Sequence, residues 1–396
     1  MNNIGYIKNC YGCGVCAIAC PKKIISIGLN KDGFYEPSIT TIDKCIHCGL
    51  CLEVCAFSHD KIALNEKGVQ GYAAWSKDNQ VRISCSSGGI GFEIGRHLIE
   101  RGYKCCGVKY NIETQRAEHF IANSVEEFIP SIGSKYIQSY TLTGFQSIKR
   151  HEKYLITGTP CQIDSFRRYI QKFKIEGNFI LLDFFCHSVP SMLAWRKYLH
   201  LVEDITGKPT FVAWRNKLYG WHNSYLLSID GDKNVPKPLF SNELIMNHVG
   251  SYHSSFSQKD IFLRLFIGDF CCNPACQLNC KYKYLSSSAD IRIGDLWGKT
   301  YCKNEKGVSA LLAFTPKGNQ LIHNLDNCTL TEHSVELVAE GQLKRNVKQA
   351  FLAPLVRRML RSNRNYSGYC WKFIIYSELV LRLPSRLFKR IVNNIK

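Results

Sequence analysis

Eight of the 20 cysteines in this chain fall into two runs whose spacing is typical of iron–sulfur chemistry. Both runs have the spacing C-x2-C-x2-C-x3-C, the first being Cys10, Cys13, Cys16 and Cys20 and the second Cys45, Cys48, Cys51 and Cys55. In bacterial ferredoxins with this spacing, three thiolates of a run bind one [4Fe–4S] cluster and the fourth binds the other cluster. The spacing therefore predicts two clusters, with the ligand sets Cys10, Cys13, Cys16, Cys55 and Cys45, Cys48, Cys51, Cys20.

Zinc is the alternative metal, because C-x2-C pairs also bind zinc. Zinc modules usually pair two C-x2-C units across a longer loop, whereas a third cysteine two residues further on is typical of an iron–sulfur cube. Pro21 follows the first run as in the bacterial motif, and Ala56 stands at that position after the second run. This departure removes no ligand, so the sequence favours iron–sulfur clusters over a zinc-stabilised interaction module.

Length and composition restrict where such clusters reside. At 396 residues the chain is long enough for two or three domains. The N-terminal residues MNNIGYIKNC contain no apolar signal-peptide core, and no uncharged stretch reaches the roughly 18 residues needed to cross a bilayer. We therefore expect a cytoplasmic protein whose cysteines are thiols and thiolates rather than disulfides.

The elements that must position the cysteines change in character near residue 69. From Gly71 onward, strand and helix signals alternate, which predicts an α/β domain with a largely parallel sheet. Tyr72–Trp75 and Val81–Ile83 are its first predicted strands. The predicted fold class is α/β, or α+β overall, with a small bacterial-type 2[4Fe–4S] ferredoxin domain at residues 1–68, a mixed α/β core at residues 69–343 and a basic helical tail at residues 344–396.

Three loops of the predicted core follow strands, where ligand crevices of such sheets lie. Ser86–Gly91 leads into a helix and could hold a phosphate through backbone N–H groups, although it lacks the spacing G-x-G-x-x-G and is equally typical of a tight turn. Gly158–Gln162 and Cys186–His187 each introduce a cysteine. Together with Cys276 and Cys280, these cysteines could hold a third cluster; the alternative is that they are small buried hydrophobic residues.

Polar side chains near these loops have two interpretations each. His187 could donate a proton near a redox cofactor, but a lone loop histidine is more often structural. Arg215 and Lys217 could bind a phosphate or an acidic substrate, or they could belong to a solvated basic turn.

Five motifs occur in an order that resembles a known family. They are SSGG (86–89), GSKYIQS (133–139), GTPCQI (158–163), FCHSVPS (185–191) and DIRIGDLWG (290–298). The set resembles the coenzyme F420 hydrogenase/dehydrogenase beta subunit family, in the branch with an N-terminal double-cluster ferredoxin domain. The resemblance spans roughly residues 5–300, and the last hundred residues contain no motif that matches.

The resemblance implies an FAD-binding core with its own cluster. Its cysteine ligands correspond to Cys161, Cys186, Cys280 and Cys276, although the last two are spaced C-x3-C where the family has C-x2-C, so Cys272 is the substitute for Cys276. The resemblance also implies flavin contacts from the three loop regions, namely Ser87, Gly88, Gly89, Lys135, Gly158, Thr159, Pro160 and Gln162.

These assignments predict an oxidoreductase. Electrons pass from a ferredoxin or flavodoxin-type donor through [4Fe–4S] clusters to FAD, which is the usual converter between one-electron and two-electron chemistry. The acceptor is an organic small molecule, for which a surface-polysaccharide (glycan) precursor is one hypothesis. The alternative is a non-catalytic electron-transfer subunit of a larger redox complex.

The formal net charge of +19 is concentrated in the tail. Residues 344–396 contain thirteen Lys or Arg and a single acid, Glu378. The segment Trp371–Leu383 is too short and too charged to span a bilayer, but it could lie on the inner face of an acidic membrane as a basic amphipathic helix. The alternative is a helix that packs on the core. The sequence predicts no nucleic-acid partner, because no binding motif accompanies the charge.

Overall fold

The computed structural model describes residues 3–64, 68–233 and 251–382. The described N-terminal region contains a hairpin and two short α-helices, in the order α1 (Val15–Ala19), β1 (Ile25–Leu29), β2 (Tyr35–Ile39) and α2 (Leu50–Glu53), together with 3-10 helices at Ile4–Tyr6, Ile42–Lys44 and Ala56–Ser58. The hairpin strands pair antiparallel, and Gly33 in their connection has a φ of 77°. Glycine adopts this positive φ at little energetic cost, which explains why Asp32-Gly33 forms the turn.

The core begins at β3 and continues to β14. Its first half comprises β3 (Gln70–Ser76), α3 (Asn79–Ser84), α4 (Ile90–Ile99), β4 (Lys104–Asn111), β5 (Arg116–Ala122), α5 (Val125–Phe128), β6 (Ser139–Tyr140), α6 (Leu142–Phe145), β7 (Tyr154–Thr157), α7 (Pro160–Lys172), β8 (Phe179–Phe184) and α8 (Met192–Thr206). Its second half comprises β9 (Pro209–Ala213), β10 (Leu226–Gly231), β11 (Tyr252–Ser255), α9 (Ile261–Ile267), α10 (Pro274–Leu278), β12 (Ile291–Asp295), β13 (Ser309–Ala313), α11 (Pro316–His323), β14 (Cys328–His333) and α12 (Val335–Val338).

Within the described residues, nine strands form one sheet in the order β14-β3-β13-β12-β8-β7-β4-β5-β6. The central strands β12, β8, β7 and β4 are parallel, whereas β13, β3 and β14 pair antiparallel at one side and β5 pairs antiparallel with β4. A separate three-stranded antiparallel sheet has the order β11-β10-β9. The mixed α/β fold class is therefore confirmed, but the sheet is mixed where the alternating pattern predicted a largely parallel one.

A buried ion pair fixes the register at the centre of this sheet. Arg292 on β12 lies opposite Asp183 on β8, and its guanidinium donates to both carboxylate oxygens at 2.7 Å. Neither side chain is exposed to solvent. The same guanidinium donates to the carbonyls of Tyr284 and Ser286, at 2.7 and 3.0 Å. The pair therefore holds the loop before β12 against the end of β8, where Cys186 follows.

Two local predictions from the sequence are wrong. Val81–Ile83 lies in helix α3, not in a strand, because the Asp78 side chain caps that helix by accepting hydrogen bonds from the backbone of Gln80 and Val81. Pro160 begins helix α7, so Cys161 and Gln162 lie in its first turn rather than in a loop. Thr159 and Gln162 form a capping box that starts the helix there.

Up to Arg382, where the description ends, the tail contains two helices, α13 (Ala353–Arg361) and α14 (Gly368–Leu381). Val356, Leu360, Trp371 and Ile374 pack in a cluster with Leu265 and other core residues. The predicted membrane segment runs to Leu383, and that residue, with the basic residues Arg386, Lys389 and Arg390, lies outside the described residues. None of the helices in the described ranges has the length and apolarity that a bilayer crossing requires.

Candidate iron–sulfur and cofactor-binding site

The first thiol group consists of Cys10, Cys13, Cys16 and Cys55, and all four side chains are buried. Burial raises the pKa of Cys10 to about 12, and the nearby thiols of Cys13 and Cys55 contribute to this shift. Cys16 likewise has a pKa raised by burial and by the thiols of Cys13, Cys55 and Cys10. The structure thus brings together the four residues that the spacing assigns to one cluster. Buried thiols that lie near one another stay protonated unless a bound metal stabilises their thiolate forms.

Core residues hold the loop of the first thiol group from several sides. The Asn273 side chain donates to the Cys10 carbonyl at 3.2 Å, Gln138 donates to the Tyr11 carbonyl at 3.0 Å, and Thr141 donates to the Cys13 carbonyl at 3.0 Å. Ser165 on α7 accepts from the Ala56 backbone at 3.0 Å and lies 3.2 Å from Cys13 Sγ. The loop is therefore part of the interface with the core.

The second thiol group, Cys20, Cys45, Cys48 and Cys51, lines a single small cavity. Cys48 is exposed, and Cys20 and Cys45 are half-buried. Burial raises the pKa of Cys51, and the thiols of Cys20 and Cys48 raise it further. The fourth cysteine of the first run thus faces the second run. Gly14 and Gly49 have φ values of 73° and 74° before α1 and α2, so the two runs turn in the same way.

The third thiol group consists of Cys161, Cys186, Cys276 and Cys280, which come from three separate parts of the core. Burial raises the pKa of Cys161 well above its usual value, and the thiols of Cys276 and Cys186 add to this. Burial raises the pKa of Cys276 to about 12, with contributions from Cys186 and Cys280. The four predicted ligands therefore converge, including both members of the irregular C-x3-C pair, because helix α10 turns the chain between them.

Cys272, the substitute ligand, lies beside this group but faces other partners. Its sulfur lies 2.9 Å from Ser188 Oγ and 3.6 Å from the Phe266 carbonyl oxygen. His187 Nε2 lies 2.9 Å from Asp269 Oδ1, and one ligand atom from each of His187, Asp269 and Cys272 falls within 4.8 Å of the others. This geometry favours Cys276 as the ligand, while all of the cluster ligations stay predictions.

Tyr11 connects the first and third thiol groups. It lies between Cys10 and Cys13 in sequence, and burial raises the pKa of its phenol, as do the thiols of Cys161, Cys280 and Cys276. Its ring lies 5.8 Å from that of Tyr282, whose hydroxyl donates to Asp164 at 2.9 Å. Cys13 also adds to the pKa shift of Cys161. The first and third groups are therefore neighbours.

A cavity of about 670 Å³ adjoins the third thiol group at Cys186. It opens where the parallel strands β7, β8 and β12 end, and it is lined by Thr157, Phe184 and Asp295 from these strands. Cys186 also lines it. The volume falls within the range of about 300–1,000 Å³ that is usual for cofactor sites. One member of the third thiol group, Cys186, therefore reaches the cavity.

One end of the cavity offers groups that suit a phosphate. Ser86, Ser87 and Gly89 line it, and Gly89 is the N-cap of α4 with a φ of 90° and no side-chain cap. Ile90 and Gly91, the first residues of this ten-residue helix, also line the cavity, and the N-terminus of a helix favours anions. The predicted contacts Gly158 and Thr159 line the cavity as well.

Two predicted flavin contacts do not line the cavity. Gly88 packs against β3 and β13, where an added Cβ would lie 2.4 Å from the Ala74 carbonyl oxygen. Pro160 is buried in the first turn of α7. Both positions serve the packing of the loops that line the cavity.

Lys135 and Gln162 do line the cavity, but their polar groups have protein partners. Lys135 Nζ donates to three backbone carbonyls, including that of Ile132 at 2.8 Å, and burial lowers its pKa to about 7. Gln162 accepts from the Thr159 backbone at 2.8 Å and donates to Ser139 Oγ at 3.1 Å. Both side chains therefore shape the loops that form the wall.

Arg215 and Lys217 do not line the cavity, and both are engaged within the protein. Arg215 is buried and donates to Asp295 at 3.0 Å and to Tyr136 at 3.2 Å. Lys217 donates to the backbone carbonyls of Arg82, Ser87 and Lys306. Arg215 and Lys217 therefore fit neither of the two roles considered from the sequence, a phosphate site or a solvated basic turn. Their side chains hold loops of the cavity in place.

Sequence reasoning missed an aromatic wall along the cavity. Tyr136 stacks on Tyr225 with their ring centroids 6.0 Å apart, and Tyr225 stacks on Trp297 with a centroid distance of 6.3 Å. The ring centroid of Phe266 lies 5.7 Å from that of Tyr136 and 5.3 Å from that of His187. Tyr136 and Trp297 lie in two of the recognised motifs, which is the signal that could have identified them.

Two family models match parts of this chain. Residues 151–336 match the family described as the C terminus of the coenzyme F420 hydrogenase/dehydrogenase beta subunit, and residues 9–59 match a 4Fe-4S dicluster domain. A chain in the solved structure of the F420-reducing [NiFe] hydrogenase complex from Methanosarcina barkeri, a xenon derivative, is similar with a TM-score of 0.45 and 14% identity, over 82% of this chain and 93% of that chain. A search of curated proteins found no match. The resemblance inferred from the motifs is confirmed: this chain is an iron–sulfur electron-transfer protein related to that beta subunit.

Proposed function

We propose that this protein is an iron–sulfur flavoprotein oxidoreductase. In this proposal, electrons pass from a ferredoxin or flavodoxin-type donor through three [4Fe–4S] clusters to FAD and on to an organic acceptor. The observation that carries the proposal is the position of the third thiol group. Cys161 packs against the hydrophobic cluster that contains Tyr11 and Ala56, the neighbours of Cys10 and Cys55 in sequence, and Cys186 lines the large cavity.

The exposed second thiol group is the proposed point of electron arrival. Cys48 is exposed beside the exposed side chains of Ile42 and Ile46. The exposed Lys22 and Lys44 flank the cysteines, and the exposed acid Asp43 precedes Lys44. A mainly basic rim with apolar residues at its centre suits an acidic electron-carrier protein.

The cavity is the proposed FAD site, and its residues fit that group. The uncapped N-terminus of α4 would bind the diphosphate, and the aromatic wall would contact flat rings. Bound FAD would supply the exchange between one-electron and two-electron chemistry. Lys283 donates to the carbonyls of Cys186 and His187, at 2.8 and 2.5 Å, and thereby fixes the loop between the third thiol group and the cavity.

The acceptor and the location follow from the same proposal. The remaining aromatic surface of the cavity would orient a small organic molecule, and a surface-polysaccharide precursor remains our hypothesis for it. The cytoplasm is the proposed location, because reduced thiols persist there.

Reduction of the protein by a reduced ferredoxin under anaerobic conditions tests the function. We expect the flavin absorbance to bleach in the wild type and in the control Cys302→Ser, since Cys302 is exposed and outside the three thiol groups. Cys161→Ser should keep the flavin but lose rapid bleaching. Rapid bleaching in Cys161→Ser, or protein without flavin that still passes electrons to a partner enzyme, would contradict the proposal; the second result would favour an electron-transfer subunit.

A further inference from the structure

Helix α14 is apolar on all sides, yet the described residues cover only one of them. Trp371, Ile374, Ile375 and Glu378 are buried against the core. The opposite side consists of Tyr369, Phe373, Tyr376 and Val380, which are 86%, 73%, 41% and 63% exposed. We call these four residues the outer face of α14. A helix that is apolar on all sides is normally buried on all sides. We therefore expect another apolar surface to bind the outer face.

The outer face is a continuous stripe. Its residues are spaced by four, three and four positions, which places them along one side of the helix. The exposed Phe351 and Leu355, at 66% and 45%, lie just before α13 and within it. Lys372, on the flank of the stripe, is exposed, and Lys259 Nζ lies 5.3 Å from the ring of Tyr376. Aromatic rings bordered by lysines are typical of helices at a membrane–water interface.

The charge around this helix is almost entirely positive. Of the residues from 344 to 396, thirteen are Lys or Arg and only Glu378 is acidic. Glu378 is buried, where it pairs with Arg382 and accepts from the backbone of Leu352. No acidic side chain of this segment is therefore placed at the surface to offset the cations. The sequence continues beyond Arg382 with four further cations and the apolar residues Leu387, Phe388, Ile391 and Val392.

We propose that the outer face of α14 lies on an anionic lipid bilayer, at the inner face of the membrane. The apolar stripe would enter the head-group region, and the bordering Lys372 and Lys259 would face the lipid phosphates. A second copy of the chain is a poorer occupant, because it would bring two strongly positive tails together. At fourteen residues, α14 is too short to cross the membrane, so it would lie along the surface.

Co-sedimentation with vesicles of stated composition tests this inference, and the readout is independent of the proposed redox function. The intact protein should bind phosphatidylcholine vesicles that contain phosphatidylglycerol, and should bind pure phosphatidylcholine weakly. Phe373→Glu/Val380→Glu should lower the partition coefficient by about tenfold or more. Ile205→Glu is the control, since Ile205 is 56% exposed at the end of α8, away from α14 in sequence.

If Phe373→Glu/Val380→Glu does not fold, the charge variant Lys372→Glu still tests the inference. Lys372→Glu should weaken binding to the anionic vesicles, as should high salt, because screening reduces the attraction. Absence of binding by the wild type, or equal binding by all variants, would overturn the inference. A dimer in analytical ultracentrifugation that Phe373→Glu/Val380→Glu dissociates would also overturn it, because a second copy would then cover the outer face.

Discussion

The first and second thiol groups each contain a C-x2-C-x2-C segment, but their surroundings differ. All four cysteines of the first group are buried, and the core residues Asn273, Gln138, Thr141 and Ser165 hydrogen-bond to its loop or its flanking backbone. The second group has an exposed member, Cys48, and the Asn3 side chain lies 3.8 Å from Cys45 Sγ. The same cysteine spacing therefore occurs in one group that is buried against the core and in another that reaches the surface. The contacts with the core account for this difference. In the proposed path, the buried group is the internal relay and the exposed group meets the donor.

The largest expected effect comes from removing a ligand of the internal relay. Cys13→Ser should slow reduction of the core cofactor by the donor about 100-fold, because the first group would lose one of the four ligands of the cluster that links the second group to the third. Stopped-flow spectroscopy measures this rate, with Cys302→Ser as the control. An unchanged rate would show that electrons reach the core without the first group.

The second effect concerns the attachment of the relay to the core. Gln138 is 2% exposed, accepts from the Tyr35 backbone at 3.1 Å and donates to the Tyr11 carbonyl. Gln138→Ala leaves two buried backbone groups without this partner, which should lower the free energy of unfolding by about 2–4 kcal/mol. Anaerobic denaturant unfolding measures it. The exposed Gln146→Ala should change stability by less than about 0.5 kcal/mol, and equal losses would show that Gln138 does not attach the loop.

A smaller effect concerns the reduction potential of the relay. Ser165 accepts from the Ala56 backbone, so its hydroxyl proton can point at the Cys13 sulfur once that sulfur is a thiolate. Such a hydrogen bond stabilises the more negative reduced cluster. Ser165→Ala should therefore lower the potential of this cluster by about 60 mV, the equivalent of about 1.4 kcal/mol for one electron. In an electron paramagnetic resonance titration, a shift of the other clusters instead would place Ser165 elsewhere in the path; the exposed Ser147→Ala is the control.

The smallest effect concerns the exposed group. Lys22→Glu/Lys44→Glu should lower kcat/KM for an acidic donor about three- to tenfold at low salt, and the difference should shrink at high salt. Steady-state reduction of the core cofactor measures it, with the exposed Lys299→Glu as the control. If the wild type shows no salt dependence, charge does not guide the donor to this surface.

The sequence leads to specific proposals for the ligand sets, but it does not lead to the contacts around them. Cysteine spacing indicates which thiols can share a cluster, and the family resemblance implies that Cys161 and Cys186 belong with Cys276 and Cys280. The contacts of Gln138 and Ser165 could not be foreseen, because they join residues far apart in sequence with no periodicity. The helix at Val81–Ile83 escapes prediction because its Asp78 cap outweighs the β-branched residues. Gly88 resembles a cofactor contact in sequence, although tight packing on β3 accounts for it.

The central claim is that three clusters connect an exposed surface to a flavin. Anaerobic quantification of iron, acid-labile sulfide and extractable flavin tests it most directly. The account predicts about twelve iron and about twelve sulfide per chain, as three cubes require, together with one FAD. Zinc in place of iron, or iron and sulfide without any flavin, would contradict it.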